Sequence, residues 1–189
     1  MRKTLRFAVM AAVLCSAAPS FAQNFANRSI GLSVSVQKLL GPSIFGVDLV
    51  VPIALEGGMY LENGFEIYLR PQFFITQVLT GAKLADGTVG PGIVVGGGGQ
   101  FGVRYLFLEE SIRPYVGLHL AVLILGTAPS ILGAPGVGAN VGCDFFVSDS
   151  VSLGVRVPVD LYLRFNVSGS QAVVPNVGIG GTIYATTYF

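Results

Sequence analysis

The chain has 189 residues, of which 52% are hydrophobic and only 11% charged, with a formal net charge of +1. That balance is foreign to soluble domains, and without a basic cluster there is nothing to recruit nucleic acid. Beyond the N-terminus the longest apolar run considered, Leu120–Leu125, falls far short of the roughly 18 to 20 residues that a spanning helix needs.

At the N-terminus Arg2, Lys3 and Arg6 precede an apolar segment from Phe7 to Leu14 and then Ser20-Phe21-Ala22, a small-x-small cleavage site. Residues 1–22 therefore read as a secretory signal peptide, with 23–189 as the mature chain. Leu14 stands where a lipoprotein signal needs a small residue before its cysteine, so lipidation of Cys15 is not expected. Cleavage removes the three basic residues and leaves eight basic side chains against ten acidic ones. The mature chain keeps one cysteine, Cys143, which excludes an internal disulfide framework.

From Ser29 the chain alternates. Ile30, Leu32, Val34 and Val36 interleave with serines, glycine and glutamine, a period of two that predicts a first strand; Gly41-Pro42-Ser43 then turns the chain. Phe45 to Leu55 makes a second, with Asp48 on its polar parity, a break expected at Pro52 and a turn at Glu56-Gly57-Gly58. The third, from Phe65, carries Glu66 and Arg70 opposite Phe65, Ile67, Leu69 and Phe73. Thr76 to Gly92 lacks periodicity and is the longest predicted loop. Val95 to Phe107 forms the fourth strand, with Gln100 and Arg104 on its polar parity.

After Leu108-Glu109-Glu110-Ser111, Ile112 to Ile124 forms the fifth strand, with Arg113, Tyr115 and His119 on the inward parity. A loop over Gly126–Pro135 leads to the sixth, Val137 to Val147, which carries Asp144. Ser148-Asp149-Ser150 turns into the seventh, where the alternation is cleanest: Val151, Leu153, Val155, Val157, Val159, Leu161, Leu163 and Phe165 oppose a set that includes Arg156, Asp160 and Arg164. Asn166 to Pro175 is the last loop, and Val177 to Phe189 the eighth strand.

Eight two-faced strands, with no helix to cover them, predict an all-β, eight-stranded antiparallel up-and-down transmembrane barrel, apolar outside and polar inside. Connections alternate short and long, as periplasmic turns and outer loops do. Phe65, Tyr105, Phe107, Phe145 and Phe189 then gather at the turn end of the apolar face, and Phe45, Phe73 and Phe165 at the loop end, forming two girdles at the headgroup levels.

Arg113-Pro114-Tyr115-Val116-Gly117 resembles the Pro-Tyr-Val-Gly opening of a strand in the small eight-stranded outer-membrane barrels of the OmpA-like and OmpW-like families. The terminal Phe189 is similar to the aromatic end that the barrel-assembly machinery reads there, although Thr187 stands where those families often have a second aromatic. The resemblance implies residence in the bacterial outer membrane, with its lipids and the assembly machinery as partners, and says little about activity.

Motifs for chemistry are sparse. Gly96–Gly99 lies within a strand pattern and lacks the Gly-Lys-Ser/Thr ending of a phosphate cradle. Some outer-membrane barrels are lipid A deacylases with a His-x-Ser pair, but here Ala121 follows His119 at that spacing, so the nucleophile is missing. No catalytic, cofactor or metal residues are therefore assigned, and the chain is read as non-enzymatic.

The inward charges are the informative set: Asp48, Glu66, Arg70, Arg104, Arg113, Asp144, Arg156, Asp160 and Arg164. Near-cancelling charges in a narrow lumen predict a network that plugs the barrel, with Arg156 expected on Asp160 or Asp144. Inward glycines such as Gly96, Gly102, Gly138, Gly142 and Gly154 remove volume and are expected to leave closed cavities. The function expected is a structural or small-molecule-handling role without an open aqueous pore. The alternatives are an OmpW-like conduit for small apolar compounds, with a small apolar ligand as partner, and a lipid-modifying enzyme.

Overall fold

In the computed structural model the described residues are 28–41, 49–61, 64–78, 92–107, 111–127, 130–166 and 173–189. The segment expected to be a signal peptide, Phe45, Asp48 and the Arg164 side chain lie outside what is described.

Eight strands follow one another around a closed antiparallel sheet. They are β1 (Arg28–Leu40), β2 (Leu49–Val50 and Pro52–Tyr60), β3 (Phe65–Val78), β4 (Gly92–Leu106), β5 (Ile112–Thr127), β6 (Ser130–Ser148), β7 (Val151–Asn166) and β8 (Val174–Tyr188). Each pairs with its neighbour in sequence, and β8 returns to β1 over a continuous ladder from Ser29–Tyr188 to Leu40–Val177. Phe189 adds two backbone bonds to Arg28, of 3.0 and 3.2 Å. With no edge left open, the backbone groups of the sheet find partners without water.

The barrel is sheared. A path through directly paired residues from Ile30 runs through Gly57, Leu69, Phe101, Leu120, Val137, Leu161 and Val177, and comes back to β1 at Leu40, ten residues from its start. Closure therefore needs tilted strands, and at eight strands the interior is about wide enough for side chains alone.

Alternation sorts the side chains as a membrane requires. Leu118, Leu120, Val137, Val157 and Ile183 are exposed on the outside, while Glu66, Arg104, Asp144 and Asp160 are at most 1% exposed inside. At the turn-end rim Phe65 packs on Tyr105 and Tyr105 edge-on against Phe107, while Phe101 is exposed farther along β4. Arg28 and Lys38 sit near opposite ends of β1 on the outer face, where long cationic side chains reach headgroups.

Five inward glycines each face an aromatic in direct register, among them Gly96, Gly102, Gly142 and Gly154 of those expected to leave space, whereas Gly138 faces His119 and Asp160. The pairs are Tyr68–Gly102, Phe74–Gly96, Tyr115–Gly142, Tyr162–Gly136 and Tyr184–Gly154. In every pair the ring occupies the space a Cβ on the glycine would need. Missing glycine volume is thus taken up by a neighbouring strand.

Strand ends also differ from expectation. β2 does not turn at Glu56-Gly57-Gly58 but runs to Tyr60, with Gly57 and Gly58 paired to Leu69 and Tyr68. The chain turns instead at Leu61 and Gly64, the latter at φ 81°. The Gly126–Pro135 stretch is not a loop, since Thr127 pairs with Ser130 and the ladder continues through Pro135. Glycine and proline, ordinarily loop signals, persist here inside long strands because two continuous neighbours hold the backbone in register.

The prolines still cost ladder contacts. At Pro52 the β1–β2 pairing stops at Val34–Ile53 and resumes at Gln37–Val50. At Pro158 the β7–β8 pairing stops at Arg156–Thr182 and resumes at Val159–Ile179. Both gaps flank the same Val36–Gly181 pair of the β8–β1 ribbon.

Val157 lies midway along β7 on the lipid-facing side. Its replacement by arginine is expected to cost about 2 to 4 kcal/mol, as at bilayer midplanes generally. Unfolding titrations in lipid vesicles measure this directly, and an unchanged free energy would contradict the assigned face.

Candidate functional site

The chemistry of the molecule is concentrated inside the barrel. Because β2, β3, β4 and β7 all point even-numbered polar residues inward, four long charged side chains meet at one level although they are far apart in sequence. Glu56 is at the centre. Its carboxylate lies 2.8 Å from Arg156 Nη2, 3.2 Å from Arg104 Nη1 and 3.9 Å from Arg70 Nε.

Arg104 extends the cluster to Glu66, which also accepts a bond of 3.0 Å from Ser29 Oγ. Arg70 is oriented by donation to Gln100 Oε1 and Ser35 Oγ. Arg156 Nε donates to Tyr115 Oη at 2.9 Å, and Tyr184 Oη lies 2.5 Å from Asp144 Oδ1 as its donor. The rings of Tyr68 and Tyr115 stack beneath both Arg104 and Arg156, and Tyr184 lies 4.8 Å from Arg156. Guanidiniums held between π faces and a shared carboxylate are ordered at a fixed height.

A second cluster lies toward the loop end. Asp160 receives Gln37 Nε2 on Oδ2 at 2.5 Å, with Tyr162 Oη on the same oxygen, and His119 Nε2 meets Oδ1 at 2.5 Å. Asn140 Nδ2 donates to His119 Nδ1 at 3.1 Å, which makes Nε2 the protonated nitrogen facing Asp160. Both ring nitrogens are thereby engaged, by Asn140 and Asp160. Beyond this level the lumen turns apolar, where Val50, Phe74, Leu123, Leu125, Ala134 and Tyr162 pack together.

Of the inward charges expected from sequence, Glu66, Arg70, Arg104, Arg113, Asp144, Arg156 and Asp160 are all buried in the lumen. They do not form one cluster. Asp160 belongs to His119 and Gln37, while Arg113 stacks on Phe146 at 4.9 Å. The expected pairing of Arg156 with Asp160 or Asp144 is not formed; its carboxylate is Glu56. Asp160 lies four residues along the same strand, about 13 Å away at strand rise, whereas Glu56 reaches Arg156 from across the lumen.

Glu56 itself was missed because the glycines after it look like a turn. The signal was available, since it continues the inward parity of Val50, Pro52 and Ala54. Among the described residues no group of three His, Cys, Asp or Glu side chains gathers as a metal site would require.

A closed sheet with an exposed apolar outer wall and buried charges in its lumen defines a small eight-stranded barrel of the outer-membrane class. Solved structures with this fold include Neisserial surface protein A, with a TM-score of 0.58 at 14% identity, over 88% of this chain and 100% of that one. The outer membrane protein OprG from Pseudomonas aeruginosa gives a TM-score of 0.59 at 12% identity, over 89% of this chain and 98% of its own. At such identities the likeness is one of fold. No protein-family model matches the chain, and no curated protein matches it in sequence.

Glu56→Gln keeps the shape of the central side chain and removes its charge, leaving three guanidiniums around a neutral amide. The barrel is expected to lose about 3 to 5 kcal/mol, the usual cost of stranding buried partners. Equilibrium unfolding of the variant beside Glu66→Gln, which faces one of those three arginines, tests whether Glu56 is the centre; equal losses would deny it that place.

Proposed function

We propose that the protein is a bacterial outer-membrane barrel with a plugged lumen, non-enzymatic, serving a structural or small-molecule-handling role without an open aqueous path. The observation that carries this is the convergence of Arg70, Arg104 and Arg156 on Glu56 between the rings of Tyr68, Tyr115 and Tyr184. Aqueous channels belong to barrels of roughly 16 to 18 strands, and this interior is occupied at mid-height by its own side chains. Outer-membrane lipids are its surroundings, and the C-terminal strand ending at Phe189 is what the barrel-assembly machinery would read.

A second role, as a conduit for small apolar compounds, is favoured by one specific arrangement. The apolar luminal cluster at the loop end includes Val50 of β2 and Tyr162 of β7, and these strands border the two ladder gaps beside Val36–Gly181. An apolar molecule entering from the loops would meet this cluster before the charged residues described in the lumen, with the two ladder gaps beside it.

Planar-bilayer recording of the refolded protein separates an open pore from a plug. The expected record shows few or no steps, while steady, large, salt-proportional steps would end the plugged interpretation. For the conduit, a disulfide between Val157→Cys and Gly181→Cys would tie the β7–β8 gap. Transfer of an apolar dye into vesicles should then drop severalfold relative to the reduced form; equal transfer in both states would remove the lateral route.

A further inference from the structure

The outer wall is not uniform. Residues paired directly from strand to strand form rows around it, and one row passes Val103, Leu118, Ala139, Val159 and Ile179 before it ends on β1 at Lys38. The next row toward the loops holds Phe101, Leu120, Val137, Leu161 and Val177. Leu118, Leu120 and Val137 stand 65%, 62% and 54% exposed, whereas Ala139 between them carries only a methyl group, so the wall dips there. Between the two rows lies a groove of about 750 Å³. Its sides are apolar, and its floor is the backbone of inward-pointing residues such as Gly102 and Gly138.

The groove crosses from β4 to β8, a span of about 19 Å at the usual strand spacing. At a strand tilt of about 45° it descends about 13 Å, close to one leaflet of a hydrocarbon core about 30 Å thick. Its upper end is at Val177, near the loop end of β8, and Phe101 stands at its lower end, away from the rims.

Of the charged side chains described within the strands, only Arg28 and Lys38 are on the outer face, at opposite ends of β1. Lys38 continues the lower row one strand beyond the groove's upper end. Arg28 borders a smaller depression, of about 310 Å³, at the turn end. Among lipid tails an apolar groove gains no hydrophobic drive, so retention of one molecule needs close fit and a contact that the tails do not provide. An ammonium facing a phosphate is such a contact.

We propose that this groove is a site for one phosphate-headed lipid of the outer leaflet, with its phosphate on Lys38 and one extended acyl chain lying past Ala139 to Phe101. The site rests on the outer-membrane residence proposed above. A second barrel would bring a convex wall that touches along a strip and leaves the recess empty, whereas a single chain fills it.

Native mass spectrometry of the wild-type protein refolded in detergent micelles tests this, with dipalmitoyl phosphatidic acid or dipalmitoylglycerol added. The two lipids share their chains and differ in the phosphate. Wild type should retain one phosphatidic acid per barrel, saturably, and bind dipalmitoylglycerol about tenfold more weakly. Lys38→Gln should weaken retention of phosphatidic acid about tenfold, and Ala139→Leu, which fills the dip without changing charge, by a similar factor. Arg28→Gln removes the same charge from the other end and should leave retention within about twofold.

Equal retention of the two lipids by wild type would overturn the site, and that comparison decides the matter even where a variant fails to fold. Equal losses from Lys38→Gln and Arg28→Gln would also refute it, by showing general attraction of charge. A dimer formed in place of the lipid adduct, and lost in Ala139→Leu, would give the groove to a second copy and end the proposal. Residence is read independently, from co-fractionation of the chain with outer membranes, so a barrel found there that ignores phosphatidic acid loses only this site.

Discussion

Hydrocarbon supplies no hydrogen bonds, and each unpaired backbone N–H or C=O placed in it costs several kcal/mol. Closure of β8 onto β1 is the condition under which any other part of this chain becomes stable. Once the sheet is closed, the period of two decides everything about polarity, since each residue belongs either to lipid or to the lumen. The outer wall then needs only to be apolar, and Val, Leu and Ile suffice. The inside must be filled, by side chains of the right volume and compensating charge, within a space set by strand number and shear.

Filling is achieved by pairing large against nothing. Tyr68, Phe74, Tyr115, Tyr162 and Tyr184 each lie across a glycine on the adjacent strand. Two large residues at those positions would collide in so narrow a lumen, and two small ones would leave a void. The tyrosine hydroxyls then reach the polar groups, so one set of rings fills space, supports guanidiniums and completes hydrogen bonds.

Much of this architecture was legible in the residues themselves. Alternation through Val151–Phe165 fixes both faces of β7, and the inward parity of Glu66, Arg70, Arg104 and Asp144 follows from the same count. What could not be read was anything that depends on register between strands. The ten-residue stagger sets which side chains across the lumen meet, bringing Arg156 to Glu56, and no single strand encodes that number. The same holds for the ring and glycine pairs, whose members are ordinary in sequence and meaningful only when aligned. Glu56 and the Gly126–Pro135 segment were obscured by a different cause, because turn-forming residues lose their usual meaning inside a long ladder held on both sides.

Glu56 and Arg156 are separated by 100 positions in the chain, yet their contact is part of the centre of the lumen. A contact of that span carries a large loop-closure cost and forms only when strands from both halves of the chain are in place. It is therefore absent from partly assembled forms and present in the finished barrel. Interactions of that kind do little to speed assembly, but they raise the barrier on the way out. The charge cluster acts, in kinetic terms, as a latch: the barrel closes without its help and, once closed, comes apart slowly because every strand that feeds Glu56 must let go together.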